Sequence, residues 1–296
     1  MKDNKFKGLW PALFTPVKEN GDVNIPELEK LIELLVSQEV DGLYILGSTG
    51  QGFLFSEKER KEIAELCFKF NNNRLPIITQ VGALSTEESV RLAQHAENQG
   101  AIGISSVGPI YYGASLDMAV AHYTRIASAT ALPFFPYQIG NAVTNDAFIE
   151  RIKDIPTVAG LKLTTLNMLD ISNVYIKGDK NWKLFSGADE LMCQAALCGT
   201  VGAIGSTYNL VGSTCKYVRE EFVKGNVQLG TDFMLYFQEV ILEILPTIWT
   251  FYRRAMQLRY GIDIGNVKQP LLAPPLNMTD DEIMYRVNKI ESFGKA

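Results

Sequence analysis

The sequence predicts an α/β protein built as a (β/α)8 TIM barrel with a C-terminal helical extension. Three observations predict it. Short apolar or β-branched runs recur eight times, segments of helical period separate them, and no Gly-rich dinucleotide fingerprint follows an early strand. The last of these favours a closed barrel over an open doubly wound sheet.

The runs are Trp10 to Val17, Leu43 to Leu46, Pro76 to Val81, Ile102 to Val107, Leu132 to Tyr137, Val158 to Leu163, Trp182 to Phe185 and Val201 to Ile204. Near-continuous hydrophobicity suits parallel strands covered by helices on the outside and by a packed core within. Between them, Leu28, Leu31, Ile32 and Leu35 form one apolar stripe, and Ile63, Leu66, Cys67 and Phe70 another. Ser56 with Glu59 and Ser85 with Glu88 carry capping-box spacing, which marks helix entrances. After the eighth run, helical stretches are expected around Lys216 to Glu221 and Asp232 to Tyr260. A Pro-rich turn follows at Pro270, Pro274 and Pro275, then a last helix capped by Thr279 and Glu282. No Gly/Ser linker intervenes, so the reading is a single catalytic domain over 1–296, with the barrel at about 8–215 and the C-terminal helices at about 216–296.

Composition narrows the function. Of 296 residues 47% are hydrophobic and 21% charged, the profile of a globular chain with a sizeable core. A net charge of −5, with Lys and Arg scattered, leaves no basic stripe for nucleic acid. Met1 to Lys7 is polar and lacks an apolar signal segment, and no stretch approaches the roughly 20 apolar residues that span a bilayer. No membrane partner and a cytoplasmic location are the expectations. Cys67, Cys193, Cys198 and Cys215 form no CxxC pair and have no histidines spaced to complete a zinc site, so they read as buried free thiols. His95 and His122 lie at no predicted strand end and read as helix-surface or packing residues.

Reactive groups of such a barrel sit at the C-terminal ends of its strands. Gly47-Ser48-Thr49-Gly50 offers amides and hydroxyls that either cradle a small anion such as a carboxylate or merely turn the chain. Gly160-Leu161-Lys162-Leu163 places a lysine in an apolar run. It is either a snorkelling side chain or, as its strand-end position favours, an amine whose pKa desolvation lowers. Tyr137 closes the fifth strand, as a proton relay or as core with a wet tip. Ser186-Gly187-Ala188-Asp189-Glu190 could hold a polyhydroxyl ligand, or Asp189 could cap the next helix. Gly205-Ser206-Thr207-Tyr208-Asn209 ends the eighth strand.

Each motif is modest alone, but their order is specific. Together they resemble the N-acetylneuraminate lyase and dihydrodipicolinate synthase family of class I aldolases, from Gly8 to about Ser292, with further matches at Val81 to Ser85, Leu92 to Ala96 and Pro109 to Tyr112. The lyase branch is the closer, through Lys162 followed by Thr164, Gly187 to Glu190 and Gly205 to Asn209. The synthase branch carries an arginine shortly after the strand-five tyrosine. Gln138 to Val143 contains none, and the aligned position is Ala142.

The resemblance implies reversible cleavage of N-acetylneuraminate to pyruvate and N-acetylmannosamine, with Lys162 forming an imine to the keto carbon. Ser48 and Thr49 would hold the substrate carboxylate, and Tyr137 would take the 4-hydroxyl proton with Thr164 and Ser48 near the relay. Gly187, Asp189, Glu190 and Ser206 would line the sugar tail. Tyr111 would reach into a neighbouring subunit's site, which implies a homotetramer. The small-molecule partners are then a 2-keto acid and an amino sugar, with no metal or cofactor.

Two departures stand out: Gln51 where the family has Glu, so that acid's charge is absent, and different wording at Phe134 to Gln138 and Gly140. The alternatives are another 2-keto-3-deoxy sugar-acid aldolase, a dihydrodipicolinate-synthase-like enzyme, or a non-catalytic binding barrel. Retention of Lys162, Tyr137, Ser48 and Thr49 together favours an enzyme.

Overall fold

The computed structural model describes residues 5–112, 115–139, 146–179 and 181–295. Its eight strands are β1 (Gly8–Pro11), β2 (Leu43–Ile45), β3 (Ile77–Gln80), β4 (Gly103–Val107), β5 (Phe134–Ile139), β6 (Gly160–Thr164), β7 (Lys183–Ser186) and β8 (Gly202–Gly205). They pair in parallel in the order β1-β8-β7-β6-β5-β4-β3-β2. The two ends of that series meet where Ala12 bridges Tyr44 and the Leu13 N–H donates to the Tyr44 carbonyl at 2.9 Å, so the sheet curls into the expected barrel. Gly140 and Ala142 lie outside the described residues.

The helices are α1 (Ile25–Ser37), α2 (Glu57–Asn71), α3 (Thr86–Gln99), α4 (Leu116–Ala127), α5 (Asp146–Ile152), α6 (Met168–Lys177), α7 (Met192–Leu197) and α8 (Tyr208–Val223) around the barrel. The extension adds α9 (Val227–Ile244), α10 (Ile248–Tyr260) and α11 (Asp280–Ser292). The stripe read on α1 is buried as drawn, at Leu28, Leu31, Ile32 and Leu35. Reciprocal capping boxes form at Ser56 and Glu59 and at Thr279 and Glu282. Ser85 accepts the Glu88 N–H.

Two boundaries differ from the sequence reading. Of the first run, Trp10 to Val17, only Trp10 and Pro11 are strand, since β1 spans Gly8–Pro11. Its later residues leave the ladder after Ala12 and are apolar because the extension covers them, with the Phe14 ring against Tyr252 and Trp249. The stretch from Asp232 to Tyr260 is two helices, broken by a 3-10 turn at Leu245–Thr247 where Pro246 cannot continue the ladder. The expected division near residue 215 falls inside α8.

A strand alternates its faces, so inward and outward residues can be read directly. In β6, Leu161 and Leu163 point out into the helix layer with Ile149, Ile152 and Trp182. Lys162 must then point in. The barrel interior below it is aromatic: Phe6 against Phe135 (5.0 Å between centroids), Phe135 against Phe185 (5.7 Å) and Phe185 against Trp10 (5.9 Å). Trp10→Ala, which hollows this plug, is expected to cost about 3–5 kcal/mol, read as a lower denaturant midpoint at unchanged m-value.

Candidate active site

The β5–β6 register sets Tyr137 beside Lys162, and β6–β7 sets Phe185 on its other side. The ammonium nitrogen lies 4.2 Å from the Tyr137 ring centroid and 4.2 Å from that of Tyr44. Ring faces attract a cation. Burial outweighs them: it pulls the Lys162 amine down to about 7, while Asp189 pushes the other way. Among the described residues no hydrogen bond or ion pair holds the nitrogen. Near neutrality roughly half of such amines are free, against about one in a thousand or fewer for an ordinary lysine.

The Tyr137 hydroxyl is 3.0 Å from Thr164 Oγ1. Burial pushes the phenol up to about 12, so it is protonated near neutrality and passes protons only by giving up its own as it takes another. Gly187 permits this geometry, because a β-carbon there would stand 2.0 Å from Thr164 Oγ1.

After β2, Ser48 is exposed and Thr49 half-buried. Leu46 and Gln51 take positive φ (60° and 54°), and Gln51 N–H and Gly52 N–H close back on the Ser48 and Gly47 carbonyls. The amides of Ser48, Thr49 and Gly50 have no backbone partner among the described residues, which leaves three donors that an anion could use. Gln51 is not a gap left by a missing charge: its buried Oε1 accepts the Lys268 N–H at 2.6 Å and ties this loop to the segment before α11.

Asp189 is buried and accepts the Thr207 N–H at 2.8 Å, bracing the start of α8 rather than capping α7. Burial pushes its carboxyl up to about 6, against the Thr207 hydrogen bonds and Lys162, which pull it down. A β-carbon on Gly205 would stand 1.5 Å from its Oδ1, so that approach requires glycine. Glu190 stays at the rim of a cleft of about 470 Å³, with Ile139, Thr164, Leu166 and Gly187. Ser206 Oγ lies 3.1 Å from the Tyr252 hydroxyl.

The structure thus gathers Lys162, Tyr137, Thr164, Gly187 and Asp189, with Glu190 at the rim, whereas the Ser206 hydroxyl is turned onto Tyr252. It leaves Tyr111 outside this cluster, largely exposed after β4, where its ring meets Tyr112 edge-on at 5.2 Å. The histidines sit apart, His122 buried beside Thr86 and Ser106, and His95 against Glu65.

Sequence reasoning missed Tyr44, Thr207 and Tyr252. Strand alternation in Leu43-Tyr44-Ile45 would have turned Tyr44 inward. Nothing local signals Tyr252.

The profile described as "Dihydrodipicolinate synthetase family" matches residues 5–290. The chain belongs to that family. Within this dihydrodipicolinate synthetase family, it is 31% identical to an N-acetylneuraminate lyase of Mus musculus over 279 residues, 90% of this chain and 87% of that one. It is also 31% identical to N-acetylneuraminate lyase A of Xenopus laevis over 298 residues, 97% of each chain. Among solved structures, the N-acetylneuraminate lyase (sialic acid aldolase) of Aliivibrio salmonicida superposes with a TM-score of 0.84 at 28% identity, over 97% of this chain and 96% of that one.

Burying Lys162 costs stability, with a definite sign. Its folded pKa lies below its unfolded value, so the penalty is full below about 7 and fades as pH rises toward about 10. Lys162→Met is therefore expected to stabilise the fold at neutral pH by on the order of 2–4 kcal/mol. In denaturant titrations the gain should shrink in alkaline buffer.

Proposed function

We propose that the protein is a Schiff-base aldolase, a carbon-carbon lyase that cleaves N-acetylneuraminate reversibly to pyruvate and N-acetylmannosamine. The observation that carries it is the buried amine of Lys162, with a pKa near neutrality and flanked by the Tyr44 and Tyr137 rings. Relatives across almost the whole chain, named for that lyase activity, support the choice of substrate.

In the proposed reaction the free amine of Lys162 attacks the C2 carbonyl and, with one proton taken up from solvent, water leaves to give a protonated imine. The substrate carboxylate lies on the Ser48, Thr49 and Gly50 amides and the two hydroxyls. Tyr137 takes the 4-hydroxyl proton as its own passes to solvent at the mouth, from which one proton later returns to C3, with Thr164 aligning the phenol. The C3–C4 electrons then flow into the imine as an enamine, and the aldehyde form of N-acetylmannosamine departs. Protonation at C3 and hydrolysis of the imine release pyruvate and restore the amine. Glu190, Gly187 and Ser206, with Asp189 behind them, would receive the hydroxyl tail.

We further propose a single catalytic domain that assembles as a homotetramer in the cytoplasm, in which Tyr111 completes a neighbour's site. Exposed Leu84, Ile110, Tyr111 and Tyr112 support one contact face, and exposed Leu166, Leu169, Ile176 and Leu197 a second. The four cysteines are free thiols, in keeping with a reducing compartment. Among the described residues no helix is long and apolar enough to cross a membrane.

Incubation with pyruvate, borohydride reduction and peptide mass spectrometry should place the adduct on Lys162. No adduct there, or turnover of N-acetylneuraminate by Lys162→Ala, would refute the mechanism. Release of a small aldehyde instead of N-acetylmannosamine would reassign the sugar. Tyr137→Phe should still trap pyruvate but lose roughly 100-fold or more in cleavage kcat; unchanged turnover would remove Tyr137 from the relay.

A further inference from the structure

The loop after β2 holds two residues in a conformation that side-chain-bearing residues seldom take: φ is +60° at Leu46 and +54° at Gln51. Such geometry persists only where the surroundings over-determine it. Within the loop, the Gln51 N–H donates to the Ser48 carbonyl at 3.0 Å and the Gly52 N–H to the Gly47 carbonyl at 3.1 Å. The Ser48, Thr49 and Gly50 amides keep no backbone partner among the described residues.

The two flanks of this loop are supported unequally. Toward the barrel Gly50 packs tightly: a β-carbon there would stand 2.8 Å from the Leu13 carbonyl oxygen and 3.1 Å from Thr15 Oγ1. Toward the extension there is space, a cavity of about 100 Å³ walled by Thr15, Gln51, Trp249, Arg253, Asn266 and Val267. Across that flank the buried Gln51 Oε1 accepts the Lys268 N–H at 2.6 Å, the hydrogen bond that ties residues 47–52 to the segment before α11.

Lys268 is itself anchored. Its Nζ donates at 2.9 Å to the Gly21 carbonyl, after β1, and lies 4.5 Å from the centroid of the Phe55 ring, after β2. The Gln51 acceptor therefore meets a backbone N–H that two strand-end segments hold in place.

We propose that Gln51 is a positioning residue for the keto acid's carboxylate: its side-chain carbonyl, fixed on Lys268, holds the Ser48, Thr49 and Gly50 amides in the spacing that the anion needs. The proposal rests on the reading of Lys162 as imine former and of this loop as the carboxylate's seat. Gln51 acts through the loop and touches neither the substrate nor the amine. Several N–H groups bind one anion together only while they keep their spacing. With the tie gone the loop can relax toward the cavity, so carboxylate affinity falls while the reactivity of the amine does not change.

Reductive trapping separates these two quantities. Pyruvate carries the carboxylate and acetone does not, yet each can form an imine with the same lysine. Each ketone is incubated with the protein and cyanoborohydride over a range of concentrations, and the adduct is followed by intact mass. Gln51→Met keeps the length of the side chain and removes the acceptor. It should raise the pyruvate concentration for half-maximal trapping by roughly ten-fold or more. Its rate at saturating pyruvate, and its rate with acetone, should match the wild type. Gln51→Asn, suited to the positive φ but one carbon too short to reach Lys268, should behave in the same way. Gln51→Glu, which keeps an oxygen acceptor, should recover most of the pyruvate affinity.

A merely structural role would slow pyruvate and acetone by the same factor. That result, or an unchanged pyruvate dependence in Gln51→Met and Gln51→Asn, overturns the proposal and leaves the imine standing. A wild type that traps the two ketones equally well would remove the carboxylate reading of the loop, and this proposal with it. No adduct on Lys162 with either ketone would remove the imine reading as well.

Discussion

Holding an amine largely out of water is the constraint to which the rest of this molecule answers. Moving the Lys162 pKa from 10.5 to about 7 corresponds to several kcal/mol of lost ammonium stabilisation, a large part of the net stability of any ordinary domain. The β-ladder supplies the reason it cannot escape. Leu161 and Leu163 are locked into the helix layer, so the pleat drives the residue between them inward. Beneath it lie the interlocked, buried rings of Trp10, Phe135 and Phe185. An amine thus confined can look only toward the mouth, where the tyrosines and loops are.

The polar groups around it divide the electrostatic work. Tyr44 and Tyr137 present ring faces, which soften the cost of the cationic form without fixing it. Among the described residues Asp189 is the buried charge that favours the cation, and it is itself held by the Thr207 N–H. Placing the carboxylate in a pocket that only Gly205 can leave open keeps it from a direct salt bridge with the lysine, which would hold the amine protonated and inert. The arrangement suits an amine that must be free to attack and then carry positive charge as an imine.

Much of this was legible in the sequence because parallel strands buried on both sides read as plain apolar runs. A lysine in such a run, at a strand end, is conspicuous. The first strand was misplaced because residues covered by a later helix are as apolar as residues in a strand; Phe14 is buried by Tyr252 and Trp249, not by pairing. Tyr44 escaped notice because an aromatic inside an apolar run looks like core, although the period of two already turned it toward Lys162. Gln51 was read as the loss of an acid, whereas its carbonyl does the tying that the loop needs. Tyr252 was invisible for a different reason: its partners lie some 45 residues earlier, and no local pattern encodes a contact of that range.

That last contact belongs to a wider division of the barrel mouth. The extension and the segment before α11 reach four strand-end loops: Val17 after β1 through the Ile264 carbonyl, Gln51 after β2 through Lys268, Glu190 after β7 through Gln238, and Ser206 and Thr207 after β8 through Tyr252. Among the described residues, no such tie reaches the ends of β4 and β5, where Tyr111 and Tyr112 stand exposed. One half of the mouth is therefore braced from within the chain, and it is the half that carries the amide row and the carboxylate. The other half carries Tyr137 of β5 and two exposed rings. For the reading in which Tyr111 serves a neighbour, this asymmetry has a physical logic: the side of the site that its own extension does not brace is the side a second subunit would have to complete.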